Sequence, residues 1–303
     1  MFVAEKDAPV STHVDRFQHG INRFAISRDG KLRATSDVDM NVVIESEGTV
    51  IFNENFSSAN EKIKPTERVR GLAFSPDGSQ IYIAAGEKLW AIGAYDGQIR
   101  WSYVAPRSFG FLIISPMTLD VSTKGEIAVA FDNGSVKVWD SRGELRARWN
   151  DNDCPRILKY AADAGRIVGT DSFSVCIWDL ANLKAKRKIV MPDRVYGMDL
   201  NQAGTIAAVR TLKEVLIWDL ERASRICSIP VEPGTPIVAL HPSKPLVACG
   251  EGSRISFSDL SGQFLSRHEL DAASGLCMAF DHSGSELIVG CTHHRVEAIK
   301  FDF

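Results

Sequence analysis

Short runs of alternating apolar and polar residues, separated by polar turns, make up most of this chain. The clearest run is Val215-Leu216-Ile217-Trp218-Asp219-Leu220, which returns upstream as Val175-Cys176-Ile177-Trp178-Asp179-Leu180 and as Val136-Lys137-Val138-Trp139-Asp140. The three tryptophans stand 39 and 40 residues apart. Alternation places successive side chains on opposite faces of a strand. A repeat of about 40 residues built from such strands is the mark of small antiparallel sheets stacked on one another.

A second landmark carries the same period. A polar turn, usually ending in Gly, sits between two apolar runs at Ser27-Arg28-Asp29-Gly30, Ser75-Pro76-Asp77-Gly78, Ser122-Thr123-Lys124-Gly125, Ala162-Asp163-Ala164-Gly165, Asn201-Gln202-Ala203-Gly204, His241-Pro242-Ser243-Lys244 and Asp281-His282-Ser283-Gly284. Seven turns predict seven units, each reading strand, turn, strand, loop, strand, turn, strand. In the fifth unit the strands are expected at 196–200, 205–210, 215–219 and 224–230. A four-stranded sheet this small cannot bury both faces alone, so the units are expected to stack radially. The result is an all-β, seven-bladed β-propeller of four-stranded antiparallel blades. The blades are expected at about 19–53, 67–103, 116–150, 154–190, 194–230, 234–270 and 274–303, in one domain spanning 1–303. The last unit supplies only three strands, and an open sheet edge is a liability. Residues 10–17 are therefore expected to add the fourth strand and close the ring.

Keeping the register, the tryptophan column projects onto Ile44, Ile92, Ser258 and Ile299. Six large apolar members predict a buried column where neighbouring sheets meet, interrupted at Ser258. Wider spacing between the first three units leaves extra residues at 53–67, which are polar, and at 102–116. The second segment contains Phe109-Gly110-Phe111-Leu112-Ile113-Ile114, apolar enough either to lengthen an inner strand or to form an exposed docking loop.

Composition narrows the partners. The 303 residues are 45% hydrophobic and 24% charged with a net charge of −3, so no global field draws the chain to nucleic acid or to an anionic membrane. Residues 1–7 lack the basic start and apolar core of a signal peptide, and no apolar run of about 18 residues appears, so a cytoplasmic protein is expected. Cys154, Cys176, Cys227, Cys249, Cys277 and Cys291 never fall in a Cys-x-x-Cys spacing and read as small hydrophobes. The chain has no Gly-x-Ser-x-Gly elbow, no Walker loop and no His-Glu-x-x-His. His293 and His294 are adjacent, so in a strand they face opposite sides and cannot share one metal. The basic run Lys184, Lys186, Arg187 and Lys188 falls in an outer strand, where charge discourages strand addition by other chains.

Trp139-Asp140, Trp178-Asp179 and Trp218-Asp219, with the Ser75-Pro76-Asp77-Gly78 turn that follows Val69-Arg70-Gly71-Leu72-Ala73-Phe74, resemble the WD40-repeat β-propeller family over about residues 10–303. The Gly-His dipeptide that this family places before a blade's first strand is missing, so packing is expected in place of its His–Asp–Trp network. The stretch from Leu89 to Trp101 is similar to a quinoprotein-type repeat ending in Gly-x-x-x-Trp.

In the WD40 family, partners touch the start of the inner strand and the end of the second strand. The resemblance assigns Arg68, Arg70, Arg156, Arg194 and Tyr196 to the first column and Asp37, Asp132, Asp171, Thr211 and Glu251 to the second, with Phe109 and Phe111 beside them. It implies a non-enzymatic scaffold, without cofactor or metal, that presents the channel face to a protein or peptide segment. Arg and Tyr are common binding anchors, although the same charges can equally pair across blades. A propeller enzyme stays open as the alternative, either a quinone-dependent dehydrogenase or a metal-assisted lactone or ester hydrolase using Asp37, Asp132, Asp171 and Glu251. Oligomeric state is open as well.

Overall fold

The computed structural model describes residues 21–57, 68–106, 114–150, 155–161, 165–182, 186–232, 234–271, 274–292 and 296–301. Among the described residues there is no helix, and the strand-turn-strand pattern runs from end to end. The first sheet is Arg23–Ile26 (β1), Leu32–Ser36 (β2), Asn41–Ser46 (β3) and Thr49–Asn55 (β4). The second is Val69–Phe74 (β5), Gln80–Ala85 (β6), Lys88–Gly93 (β7) and Ile99–Val104 (β8), and the third Pro116–Val121 (β9), Ile127–Phe131 (β10), Ser135–Trp139 (β11) and Leu145–Asn150 (β12). The fourth is Ile157–Ala161 (β13), Arg166–Thr170 (β14), Ser174–Asp179 (β15) and Lys186–Val190 (β16). The fifth is Gly197–Leu200 (β17), Ile206–Arg210 (β18), Glu214–Asp219 (β19) and Ser224–Pro230 (β20), and the sixth Val238–Leu240 (β21), Leu246–Gly250 (β22), Arg254–Asp259 (β23) and Phe264–Glu269 (β24). The seventh has Gly275–Phe280 (β25), Glu286–Cys291 (β26) and Val296–Lys300 (β27). Every sheet keeps its strands in chain order. The chain divides into two compact units, Asn22–Tyr160 and Ala161–Phe303 with Ile21.

Burial follows position in the sheet. All five residues of β10 are buried, whereas β12 alternates between exposed and half-buried. A second strand is covered on both faces and therefore reads as a continuous apolar run. An outermost strand keeps one wet edge and alternates.

Local polar bonds set the turns. The Ser27 and Ser75 hydroxyls each donate 2.6 Å to the carboxylates of Asp29 and Asp77, whose pKa values these bonds lower. The aspartate after each tryptophan serves the next hairpin: Asp140 accepts the amides of Arg142 and Glu144, and Asp219 those of Glu221 and Arg222. Asp259 does the same for Ser261 and Gln263. These are Asx-type turns.

The packing column is present, with one correction. Ile92, Trp139, Trp178, Ser258 and Ile299 are buried, and Trp218 is half-buried. The register of third and fourth strands shifts at Ala91/Ile92, Val138/Trp139, Ile217/Trp218 and Phe257/Ser258. In the first sheet the same shift falls at Ile44/Glu45, so Glu45 holds the column position that the sequence spacing assigned to Ile44. The cause is loop length. Asp37 N bonds the carbonyl of Asn41, four residues on, whereas Asp171, Thr211 and Glu251 bond Ser174, Glu214 and Arg254, three on. Met40, at φ 66°, lies in this longer loop. A one-residue slip turns a side chain to the opposite face. Ile44 is accordingly on the other side of its sheet, packed with Ile81, Ile83 and Ile92. Burial raises the Glu45 pKa, partly offset by Arg33.

Several expectations fall elsewhere. Residues 10–17, Phe109, Phe111, Cys154, Lys184, His293 and His294 lie outside the described residues. Strand β9 begins at Pro116, so Ile114 does not extend it; Ile114 packs against the core containing Tyr82, Phe131 and Trp139. Cys176, Cys249 and Cys291 are buried free thiols, and Cys227 and Cys277 are half-buried.

Candidate binding surface

The inner strands are tied to the next sheet by bonds at both their starts and their ends. Asn22 Nδ2 donates to Val69 O at 2.8 Å and Arg23 Nε to Arg70 O at 3.1 Å. Tyr160 N donates to Asp120 Oδ2 at 2.7 Å, and Leu240 N to Asp199 Oδ2 at 2.9 Å. The first two of these bonds fix the backbone at the starts of β1 and β5, from which Arg70 projects.

In the unit Asn22–Tyr160, Arg68 is exposed immediately before β5 and Arg70 is half-buried within it. Burial lowers the Arg70 pKa, and the positive charges of Arg23 and Arg68 lower it further, against the opposing pull of Asp132. Arg23 and Arg68 thus both lie near enough to Arg70 to repel its charge. Arg68 and Arg70 make no ion pair among the described residues. Arg156 is exposed just before β13.

In the unit beginning at Ala161, Arg194 stacks over the Tyr196 ring, 5.5 Å from its centroid. Tyr196 is 42% exposed, and its amide donates to Arg210 O at 2.8 Å. The two anchors assigned to the start of β17 therefore act as one cation–π pair.

The acids of the second column are bonded within the protein, Asp37 and Asp171 to their own loops and Asp132 and Glu251 to other segments. Asp37 is fully buried and accepts the Asp39 and Asn41 amides, both at 2.9 Å, and Asn41 Nδ2 at 2.6 Å. Asp132 accepts Ser115 N at 3.1 Å. Asp171 accepts Phe173 N, Ser174 N and Ser174 Oγ, each at 2.6 Å, and pairs with Lys188 at 3.3 Å; these bonds outweigh burial and hold its pKa below the usual carboxylate value. Glu251, also buried, accepts Glu232 N at 3.3 Å and pairs with Arg267 at 3.2 Å. Thr211 exchanges hydrogen bonds with Glu214. No group of three or more His, Cys, Asp or Glu placed to hold a metal occurs among the described residues. Trp101, the end of the quinoprotein-like repeat, donates its indole N–H to Ser141 O at 3.0 Å.

Two arginines escaped the sequence columns. Counting back from the Ser27-Arg28-Asp29-Gly30 turn puts Asn22, not Arg23, level with Arg70. Arg210 ends the apolar run Ile206-Ala207-Ala208-Val209, where an arginine ordinarily snorkels to water. Here it is fully buried, donating to Thr211 O at 2.6 Å, and burial lowers its pKa against the influence of Cys249 and Glu251. In the basic outer strand β16, Arg187 donates to Leu220 O and Glu221 O at 3.1 and 2.7 Å, so part of that charge closes the neighbouring sheet.

No family model matches the chain, and no curated protein matches it. Solved structures do. The chain is similar to the WD40 repeats of RRP9, with a TM-score of 0.82 and 16% identity, covering 100% of both chains. It is also similar to U3-55K, with a TM-score of 0.77 and 16% identity, covering 94% of this chain and 96% of that one. The chain therefore has the all-β, seven-bladed propeller fold of WD40-repeat proteins.

Proposed function

We propose that the protein is a non-enzymatic scaffold that binds a protein or peptide segment on the channel face, with Arg68, Arg70, Arg156, Arg194 and Tyr196 as anchors. The observation that carries this reading is the Arg68–Arg70 pair beside Arg23, two guanidinium groups without an ion pair among the described residues and close to a third positive charge. Holding like charges together costs free energy, and a carboxylate from a partner relieves that cost through bidentate hydrogen bonds. Arg and Tyr on rigid backbone are also the side chains that most often dominate interfaces. The likeness to WD40 repeats supports the same class of role.

The test is an affinity capture of the full chain from native lysate, followed by mass spectrometry, comparing wild type with an Arg70→Glu, Arg156→Glu double variant. Loss of wild-type partners by the double variant, at an unchanged circular dichroism spectrum, is expected. Retention of every partner overturns the reading.

A further inference from the structure

An apolar strip crosses one end of the fourth and fifth sheets and meets the arginine column at Tyr196. Phe173, Val190, Tyr196 and Leu212 are 56%, 72%, 42% and 48% exposed. Scattered exposed hydrophobes are ordinary, but contiguous ones mark a contact surface. Backbone bonds bring the segments that carry these four side by side. Val190 is the register partner of Ser174, next to Phe173, and Met191 N donates to Phe173 O at 2.8 Å. Val195 N donates to Ser172 O at 2.8 Å, and Tyr196 N to Arg210 O at 2.8 Å, two residues before Leu212. The order across the strip is therefore Val190, Phe173, Tyr196, Leu212, all within one compact unit.

The charges around the strip are uneven. Asp171 is paired with Lys188, Glu214 is half-buried and accepts the Ser228 hydroxyl, and Asp193 is exposed and accepts the Arg194 amide at 2.6 Å. Two cations are exposed, Arg194 over the Tyr196 ring and Lys213 beside Leu212, and neither makes an ion pair among the described residues. The two unpaired cations outnumber the one exposed acid, which suits an occupant with large apolar side chains and negative charge.

We infer that this strip is a docking surface for a short peptide segment of a partner protein in which bulky apolar residues flank Asp or Glu. The apolar side chains cover Phe173 and Leu212, and the carboxylate meets Arg194 and Lys213. Rim cations of this kind set specificity and encounter rate, while the apolar anchors set residence time. The inference rests on the scaffold reading and shares Arg194 and Tyr196 with it, but Phe173, Val190, Leu212 and Lys213 are not among the channel-face anchors.

The probe is a phage-displayed library of random peptides of about 12 residues, selected on the full chain. Enriched peptides are expected to combine large apolar residues with Asp or Glu. A synthetic copy of the top peptide is expected to bind a Phe173→Ser, Leu212→Ser variant about tenfold or more weakly, and an Arg194→Ala variant more weakly as well. Both sites are exposed, and an unchanged melting curve shows that the variants fold. The same peptide is expected to keep its affinity for the Arg70→Glu, Arg156→Glu protein, so failure of the strip and failure of the channel-face reading are told apart. Basic consensus peptides, no enrichment, or peptides indifferent to the Phe173 and Leu212 changes overturn the inference. A concentration-dependent dimer that the Phe173→Ser change abolishes also overturns it, because the strip would then be covered by a second copy.

Discussion

At the residue scale, His241 shows how one side chain both builds a turn and ties two sheets. It stands where other repeats place Ser, Ala, Asn or Asp. Its Nδ1 accepts the amides of Ser243 and Lys244 at 3.1 and 2.9 Å, which fixes the proton on Nε2, and that nitrogen donates to Gly284 O at 3.1 Å. A side chain at Gly284 would collide with the ring, and the φ of 79° there favours glycine independently. Charging the ring would put a proton on Nδ1 and break two acceptor bonds. Burial first, and Lys244 secondarily, lower the His241 pKa from 6.5, against Gly284 O and Asp281. The unfolded chain therefore binds the proton more tightly than the folded one. This contribution is complete above about pH 6.5 and is lost as pH falls from there to the folded pKa, with a slope of at most about 1.4 kcal/mol per pH unit. Urea midpoints between pH 7.5 and 5.5 check this, with the pH series as the comparison. The wild type is expected to lose stability toward the acid end more steeply than His241→Asn, which copies Asn201 at the same turn position; parallel slopes contradict it.

At the element scale, the second-strand end of the fold illustrates what a repeat can and cannot disclose. The period, the seven turns and most strand limits were legible because strand alternation and turn chemistry are local. In the fifth sheet the expected 224–230 strand matches Ser224–Pro230, and 205–210 differs from Ile206–Arg210 by one residue. The position of Glu45 was not legible, because a single added loop residue leaves the pattern intact while reversing the face. The inter-sheet bonds were equally silent, since nothing local marks Asp199 as the acceptor for Leu240 N. Leu240 is buried, so removing that carboxylate leaves its amide without this acceptor. Asp199→Ala is expected to cost about 1–3 kcal/mol in a denaturation experiment. A stability equal to wild type would mean that the bond holds nothing together.

At the scale of the whole molecule, the candidate surface was legible where it depends on register and illegible where it depends on competition. The projection placed Arg68, Arg70, Arg194 and Tyr196 at inner-strand starts because those starts are counted from the turns. It also put Asp37, Asp171 and Glu251 in the partner-facing column, yet Asp37 and Asp171 are committed to their own hairpin loops and Glu251 to the Glu232 amide and Arg267. The strip through Phe173 and Leu212 escaped notice because exposed hydrophobes in loops look like any other in sequence.

The ends of the chain pose the remaining question of how a fold of stacked sheets is completed. Among the described residues β27 pairs only with β26, which leaves one strand edge for a further partner. Ile21 is buried, and a Cβ on Gly290 in β26 would lie 3.2 Å from its Cγ2, so the chain enters the described region beside the seventh sheet. Residues 10–17 are four to eleven positions upstream, well within reach of that edge at about 3.3 Å per residue. If they supply the fourth strand, they contribute backbone hydrogen bonds along β27 and cover an otherwise open edge. Deleting residues 1–18, which spares Ile21, is then expected to lower the melting temperature by about 5 °C or more. Val14→Pro, which removes a backbone donor and disfavours pairing, is expected to lower it in the same direction by less. Both are read by calorimetry alongside far-ultraviolet circular dichroism. An unchanged melt in the two variants would show that the seventh sheet is stable with three strands and that the ring is not closed by its N-terminal segment.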